Sequence, residues 1–231
     1  MKMISVMGSA GSGKTSVACQ LARAYAKEGK QVLVAFLDDV LPPFSYLIPS
    51  NTIKKEQVLS LGSILSDYAL TKSKIWKSAC PVLDDKVALL GYLKTDTADT
   101  YPMLTDYCVD SFLSQVQNMD LDLVIWDVSN ANPIVYERLA GLNPYTISVI
   151  RPVPKDLSWA IRNDGFNADT IILNAVIHGQ DTSIPNIPAT KIECLPWSET
   201  VNSNMNSMDP FGGVDKKYNK ALIKLIAHLD K

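Results

Sequence analysis

Apolar runs of strand length alternate along this chain with stretches whose apolar residues recur at helical spacing. Strand-like runs lie at Met1 to Met7, Gln31 to Leu37, Val87 to Leu93, Leu121 to Asp127, Tyr145 to Ile150, Thr170 to Val176 and Lys191 to Leu195. Most are too continuously apolar for a half-exposed strand, which predicts strands buried on both faces. Between them, Ser16 to Tyr25 reads as a helix that runs on to Glu28 and stops at Gly29, a residue able to close it in the left-handed conformation. Val109, Phe112, Leu113 and Val116 mark another helix, as do Leu157 to Ile161, and Pro133 opens a short one that Gly141 can close. A stripe of Val58, Leu59, Leu61, Ile64, Leu65 and Tyr68 predicts a core-facing helix in the otherwise illegible stretch after Pro42-Pro43. Asn202 to Gly213, rich in Asn, Ser, Met and Gly, reads as a loop. Alternating strands and helices with long crossovers predict an α/β fold in three layers, a mainly parallel sheet flanked by helices, over a single domain spanning 1–231.

The first turn carries the chemistry. Gly8-Ser9-Ala10-Gly11-Ser12-Gly13-Lys14-Thr15-Ser16 follows the first strand and opens the first helix, the context of a phosphate-binding P-loop. Glycines let the backbone N–H groups converge on phosphate oxygens, the helix dipole adds attraction, Lys14 reaches the β- and γ-phosphates, and the Thr15 hydroxyl is placed for Mg²⁺. Two later strands end in carboxylates. Asp127 closes Leu121 to Trp126 in the manner of a Walker B acid, aimed at Mg²⁺ and the γ-phosphate side. Asp38 and Asp39 reach the same carboxyl edge of the sheet, where Asp38 suits Mg²⁺ or its water shell and Asp39 suits capping of the next turn.

Composition narrows the partners. With 22 Lys+Arg against 24 Asp+Glu, the net charge of −2 gives no global attraction to nucleic acid, and Tyr101 and Tyr107 have no interleaved basic residues, so they read as packing residues. The four cysteines, Cys19, Cys80, Cys108 and Cys194, lack metal-ligand spacing and read as buried thiols of a reducing compartment. The apolar N-terminal residues are taken up by the first strand and no run approaches a membrane span, so the expectation is a cytoplasmic protein. The closing helix pairs Ala221, Leu222, Leu225, Ile226 and Leu229 with Lys217, Lys220 and Lys224. Such a helix can lie on an acidic membrane surface, but docking on the sheet is favoured, because a parallel sheet needs both faces covered.

In the order of these elements the chain resembles the ParA/MinD-type P-loop ATPases over nearly its whole length. The P-loop comes first, and Asp38 stands where that family has the second acid of an Asp-x-Asp, with Phe36 in place of the first. Asp127 matches the acid that begins the switch segment, though Val128-Ser129-Asn130 departs from Thr-Pro-Ala-Gly. Leu157-Ser158-Trp159-Ala160 is similar to the helix after the fifth-strand region. The resemblance implies that Asn174 contacts adenine and that Pro196 and Trp197 belong to the loop over the base, against the plainer reading of a turn cap and a packing residue. Ser9 replaces the lysine that in the family crosses to the partner's phosphates.

The implied function is an ATP-binding switch with slow Mg²⁺-dependent hydrolysis, a nucleotide-dependent homodimer and an unidentified protein partner whose positioning or assembly it serves. A P-loop kinase acting on a small metabolite and a degenerate nucleotide-binding module are the alternatives. The arginines beyond Arg23, which are Arg138, Arg151 and Arg162, form no lid-like cluster of the kind a kinase uses. Ala175-Val176 after Asn174 differs from the Lys-x-Asp of GTPases, which predicts ATP over GTP.

Overall fold

A computed structural model describes residues 1–48, 59–94, 96, 100–101, 103–128, 131–184, 187–188 and 191–230. Its strands are β1 (Lys2–Gly8), β2 (Val32–Phe36), β3 (Cys80–Val82), β4 (Val87–Gly91), β5 (Leu123–Asp127), β6 (Tyr145–Ile150), β7 (Thr170–Val176) and β8 (Ile192–Pro196). The helices are α1 (Lys14–Lys27), α2 (Phe44–Leu47), α3 (Leu61–Leu65), α4 (Lys72–Ser78), α5 (Asp106–Gln117), α6 (Pro133–Ala140), α7 (Pro154–Arg162), α8 (Glu199–Asn206) and α9 (Lys216–Leu229). One sheet runs in the order β3-β4-β2-β5-β1-β6-β7-β8, parallel throughout except for the antiparallel edge strand β3.

Alternation along each strand divides the core. Val32, Val34 and Phe36 of β2 join α1 and α9 on one face, while Leu33 and Ala35 join α3, α4 and α5 on the other. This is why the central runs had to be apolar at every position. Beneath α7 a third cluster gathers Ile150, Ala160, Ile171 and Leu173. The closing helix docks as expected, burying Tyr218, Leu222, Leu225, Ile226 and Leu229 in the α1 face. No helix among the described residues is long and apolar enough to cross a membrane.

Several expectations are corrected. Asn202 to Gly213 is not all loop, because Ser198 caps α8 by accepting from the Val201 N–H, and the helix carries the chain to Asn206. Propensity missed it since its polar residues face outward and only Val201 is buried. The apolar stripe forms only the short α3: Leu61, Ile64 and Leu65 are buried, Leu59 and Tyr68 are exposed, and Val58 lies outside the described residues. Helix α4, capped by Thr71, and the strand β3 were not anticipated. Cys194 is exposed, whereas Cys19, Cys80 and Cys108 are buried as expected. The helix opened by Pro133 does close at Gly141, as expected, with the glycine in an ordinary helical conformation and Asn143 turning left-handed two residues on.

Topology places the site. From β1 the chain moves to β2 on one side, and β6 flanks β1 on the other, so β1 stands at a switch point of the sheet. Ligands of open α/β sheets bind beyond the carboxyl ends of the strands at such a point. Val6 of β1 and Phe36 of β2 both register with Asp127, and Gly8 registers with Val149 of β6.

Candidate nucleotide site

The turn from β1 into α1 is shaped by contacts that only glycine permits. A Cβ on Gly8 would come within 2.3 Å of the Val149 carbonyl oxygen and 2.6 Å of the Ser12 hydroxyl. Gly13 has φ +91°, and a Cβ there would strike the Asn174 side chain at 2.2 Å. These close approaches leave a cradle at the N-terminus of α1, where the first N–H groups of a fourteen-residue helix have no intrahelical partner. The cradle fits a polyphosphate, since its donors are backbone N–H groups and the Lys14 ammonium. The buried Ser12 Oγ has no protein hydrogen-bond partner, a further polar group inside the turn.

A cavity of about 440 Å³ opens over this turn, lined by Gly11 to Ser16 on one side and by Asn174, Ala175, Pro196 and Trp197 on the other. That volume lies within the range of small-ligand and cofactor sites. Asn174 is carried inward at a shift of the β7–β8 register, where Ala175 takes φ 58°. Its amide donates to the Ser12 carbonyl at 2.8 Å, so it braces the P-loop as well as facing the cavity. Trp197, 54% exposed, is anchored by its backbone N–H to the Val176 carbonyl at 3.0 Å, leaving the ring on the rim. Arg151, Ser198, Val201, Asn202, Met205 and Tyr218 also line it, and α8, which supplies three of them, was missed in the sequence.

At the sheet edge the Thr15 hydroxyl donates to Asp127 Oδ2 at 2.6 Å. This joins two of the three residues expected to serve a metal, a hydroxyl and a carboxylate that are hard oxygen donors of the kind Mg²⁺ takes. The third, Asp38, is buried and has a turn to hold: its Oδ1 accepts from the backbone N–H of Val40 at 3.1 Å and of Leu41 at 2.8 Å. The sequence had assigned that capping to Asp39. Instead Asp39 accepts from the Tyr101 hydroxyl at 2.7 Å, and Tyr101 stacks on Tyr92. Burial, with the Asp39 carboxylate beside it, raises the Tyr101 phenol above its ordinary pKa. Tyr107 is exposed and stacks on Tyr68.

Ser9 has a structural partner the sequence did not suggest. Its hydroxyl, in a residue only 2% exposed, donates to Asp156 Oδ1 at 2.6 Å. Asp156 lies in the first turn of α7, fully buried, and takes three further hydrogen bonds from Arg151: from its backbone N at 2.9 Å, Nε at 2.9 Å and one terminal guanidinium nitrogen at 3.3 Å. Burial alone would raise the Asp156 pKa, but Arg151 and Ser9 outweigh it and hold the carboxyl below its ordinary value. Nearby, Lys155 donates to the Ala10 carbonyl at 3.1 Å. Gly8, Ser9, Ala10 and Lys14 line a second cavity of about 730 Å³ on this flank, together with Tyr136, Lys155, Trp159 and Arg162. A lone Asp in the first turn of a helix gave no sequence signal; only the sheet brings β6 beside β1 and so Asp156 beside Ser9.

Neither a protein-family model nor a curated protein matches this sequence. Solved structures do match in fold. The cell division ATPase MinD of Pyrococcus furiosus superposes with TM-score 0.69 at 17% identity, covering 99% of this chain and 98% of that one. MinD of Pyrococcus horikoshii, complexed with Mg-ADP, gives 0.67 at 18% identity over 100% and 96%. A plasmid partition protein of Borrelia burgdorferi bound to AMPPNP gives 0.72 at 15% identity over 99% and 98%. The chain therefore has the fold of the ParA/MinD-type P-loop ATPases.

Proposed function

We propose that this protein is an ATP-binding switch, a single P-loop domain that hydrolyses ATP slowly with Mg²⁺, forms a nucleotide-dependent homodimer and positions or assembles a protein partner in the cytoplasm. The observation that carries the reading is the glycine-shaped cradle opening into a cavity walled by Asn174, Pro196 and Trp197. In this reading Gly11 to Ser16 hold the phosphates through backbone N–H groups. Lys14 neutralises the β- and γ-phosphates, Asn174 offers an amide able both to donate and to accept at the adenine edge, and Pro196 and Trp197 cover the base. Thr15, Asp127 and Asp38 would hold Mg²⁺ or its waters, and that ion would supply charge neutralisation at the γ-phosphate.

Nucleotide complexes of two proteins of the same fold, with Mg-ADP and with AMPPNP, support the choice of ligand. The second cavity supports approach by another molecule, since it exposes the Ser9 flank of the P-loop with Lys14, Lys155 and Arg162 on its walls. Ser9 contributes no charge there, so ATP-driven dimerisation should be weaker than with a lysine at this position and hydrolysis slow until a partner supplies a cation in trans. Sedimentation and turnover with ATP test this: wild type should dimerise weakly and turn over slowly, and Ser9→Lys should tighten the dimer. Brisk unassisted hydrolysis, or a tight ATP dimer unaffected by Ser9→Lys, would refute the dimer part. Tighter binding of GTP than ATP in direct titration would refute the base assignment.

A further inference from the structure

Arg151 follows β6 directly and lines the nucleotide cavity. Its guanidinium packs against the tip of the P-loop, because a Cβ on Gly11 would lie 4.0 Å from one terminal nitrogen. The side chain is 35% exposed while its partner Asp156 is fully buried, so the guanidinium stays accessible while it is paired. Nε donates to Asp156 at 2.9 Å, and the terminal nitrogen nearest Gly11 is the one that also donates to Asp156, at 3.3 Å. A guanidinium has five N–H donors, and the second terminal nitrogen carries two that this pairing does not use.

A carboxylate taken wholly out of water is costly unless its geometry is excellent and its lone pairs are filled. Asp156 meets that condition with four hydrogen bonds, one of them from Ser9 inside the P-loop. The ion pair lowers the net charge near the cavity, but it fixes the arginine in one rotamer, so little side-chain freedom remains to be lost when an anion arrives. The ligand wall opposite, with Asn174, Pro196 and Trp197, carries no cation.

We propose that Arg151 is a phosphate-binding residue of the nucleotide site, held at the P-loop tip by Asp156 and Ser9 as positioning residues, and that its ligand is the phosphate chain of a nucleoside di- or triphosphate. The proposal rests on the cavity being a nucleotide site. Planar donors aimed at a phosphate recognise it more strongly than a neutral amide does.

Titration of ADP at several salt concentrations tests it, using Lys14→Ala, Arg151→Gln, Arg151→Lys and the double variant Arg151→Gln with Asp156→Asn, which leaves no buried charge unpaired. Arg151→Gln and the double variant should bind ADP about tenfold more weakly, with a shallower dependence of affinity on salt, and Arg151→Lys should recover part of both. A merely structural role would leave the salt dependence unchanged, and that result overturns the proposal. On the wild type, ADP should protect Arg151 from phenylglyoxal while exposed Arg162 stays reactive; lack of protection also overturns it, whether or not the variants fold. If Lys14→Ala loses ADP and both Arg151 variants keep wild-type affinity, only the role of Arg151 fails. If Lys14→Ala binds ADP as well as wild type does, the nucleotide-site reading itself fails.

Discussion

Two hydroxyl–carboxylate pairs flank the P-loop at the same 2.6 Å, Thr15 with Asp127 and Ser9 with Asp156, yet their surroundings differ. Asp156 sits in the first turn of α7 and has both oxygens claimed, by Ser9 and by three donors of Arg151. Asp127 sits at the end of a central strand, with β1 and β2 on either side, at the edge where ligands of such sheets arrive. One pair fastens the P-loop to the β6–α7 turn; the other, in the proposed reading, stands where a cation would join a phosphate. The lesson is that a short hydrogen bond between a serine or threonine and an acid does not state its purpose. The partners of the acid do.

The comparison can be broken from several directions. Lys14→Ala should have the largest effect, lowering ATP affinity at least a hundredfold, because in the proposed reading the lost cation faces the β- and γ-phosphates; direct titration measures it. Asp156→Asn should cost about 2–3 kcal/mol of stability in urea unfolding, less than a fully buried pair would, since Arg151 remains partly solvated. Asp127→Asn should leave ADP binding without Mg²⁺ within a few-fold of wild type and abolish most of the gain that Mg²⁺ brings. Equal Mg²⁺ dependence in the two proteins would reduce Asp127 to a strand-end carboxylate.

Smaller effects sharpen the contrast. Ser9→Ala should cost about 1 kcal/mol, the worth of one hydrogen bond to a charged acceptor partly compensated by Arg151. The acid limb of stability should show Asp156 as well. Its carboxyl is held below the ordinary value, so its contribution is full above the unfolded carboxylate pKa of about 3.9 and is lost as pH falls through the lower folded value. The stability gap between wild type and Asp156→Asn should therefore narrow below about pH 4 in acid titrations followed by circular dichroism.

What the sequence by itself determined is the part written in local pattern. Continuous apolar runs such as Val32 to Phe36, short and rich in β-branched residues, read as strands covered on both sides, and Gly8 to Thr15 between a strand and a helix reads as a tight P-loop turn. Asp127 was legible because a buried strand must end somewhere, and its last residue is delivered to the sheet edge. Helix α8 was not, because one buried valine and an outward polar surface leave no helical stripe to read. Tertiary structure alone decided that Asp39 meets Tyr101 across 62 positions, that Asn174 braces Ser12 across 162, and that Asp156 reaches Ser9 across 147. The physical reason is range. Periodicity and turn chemistry act over a few residues, whereas hydrogen bonds of buried polar groups are satisfied by whatever the strand order brings alongside, and here that order sets β6 next to β1.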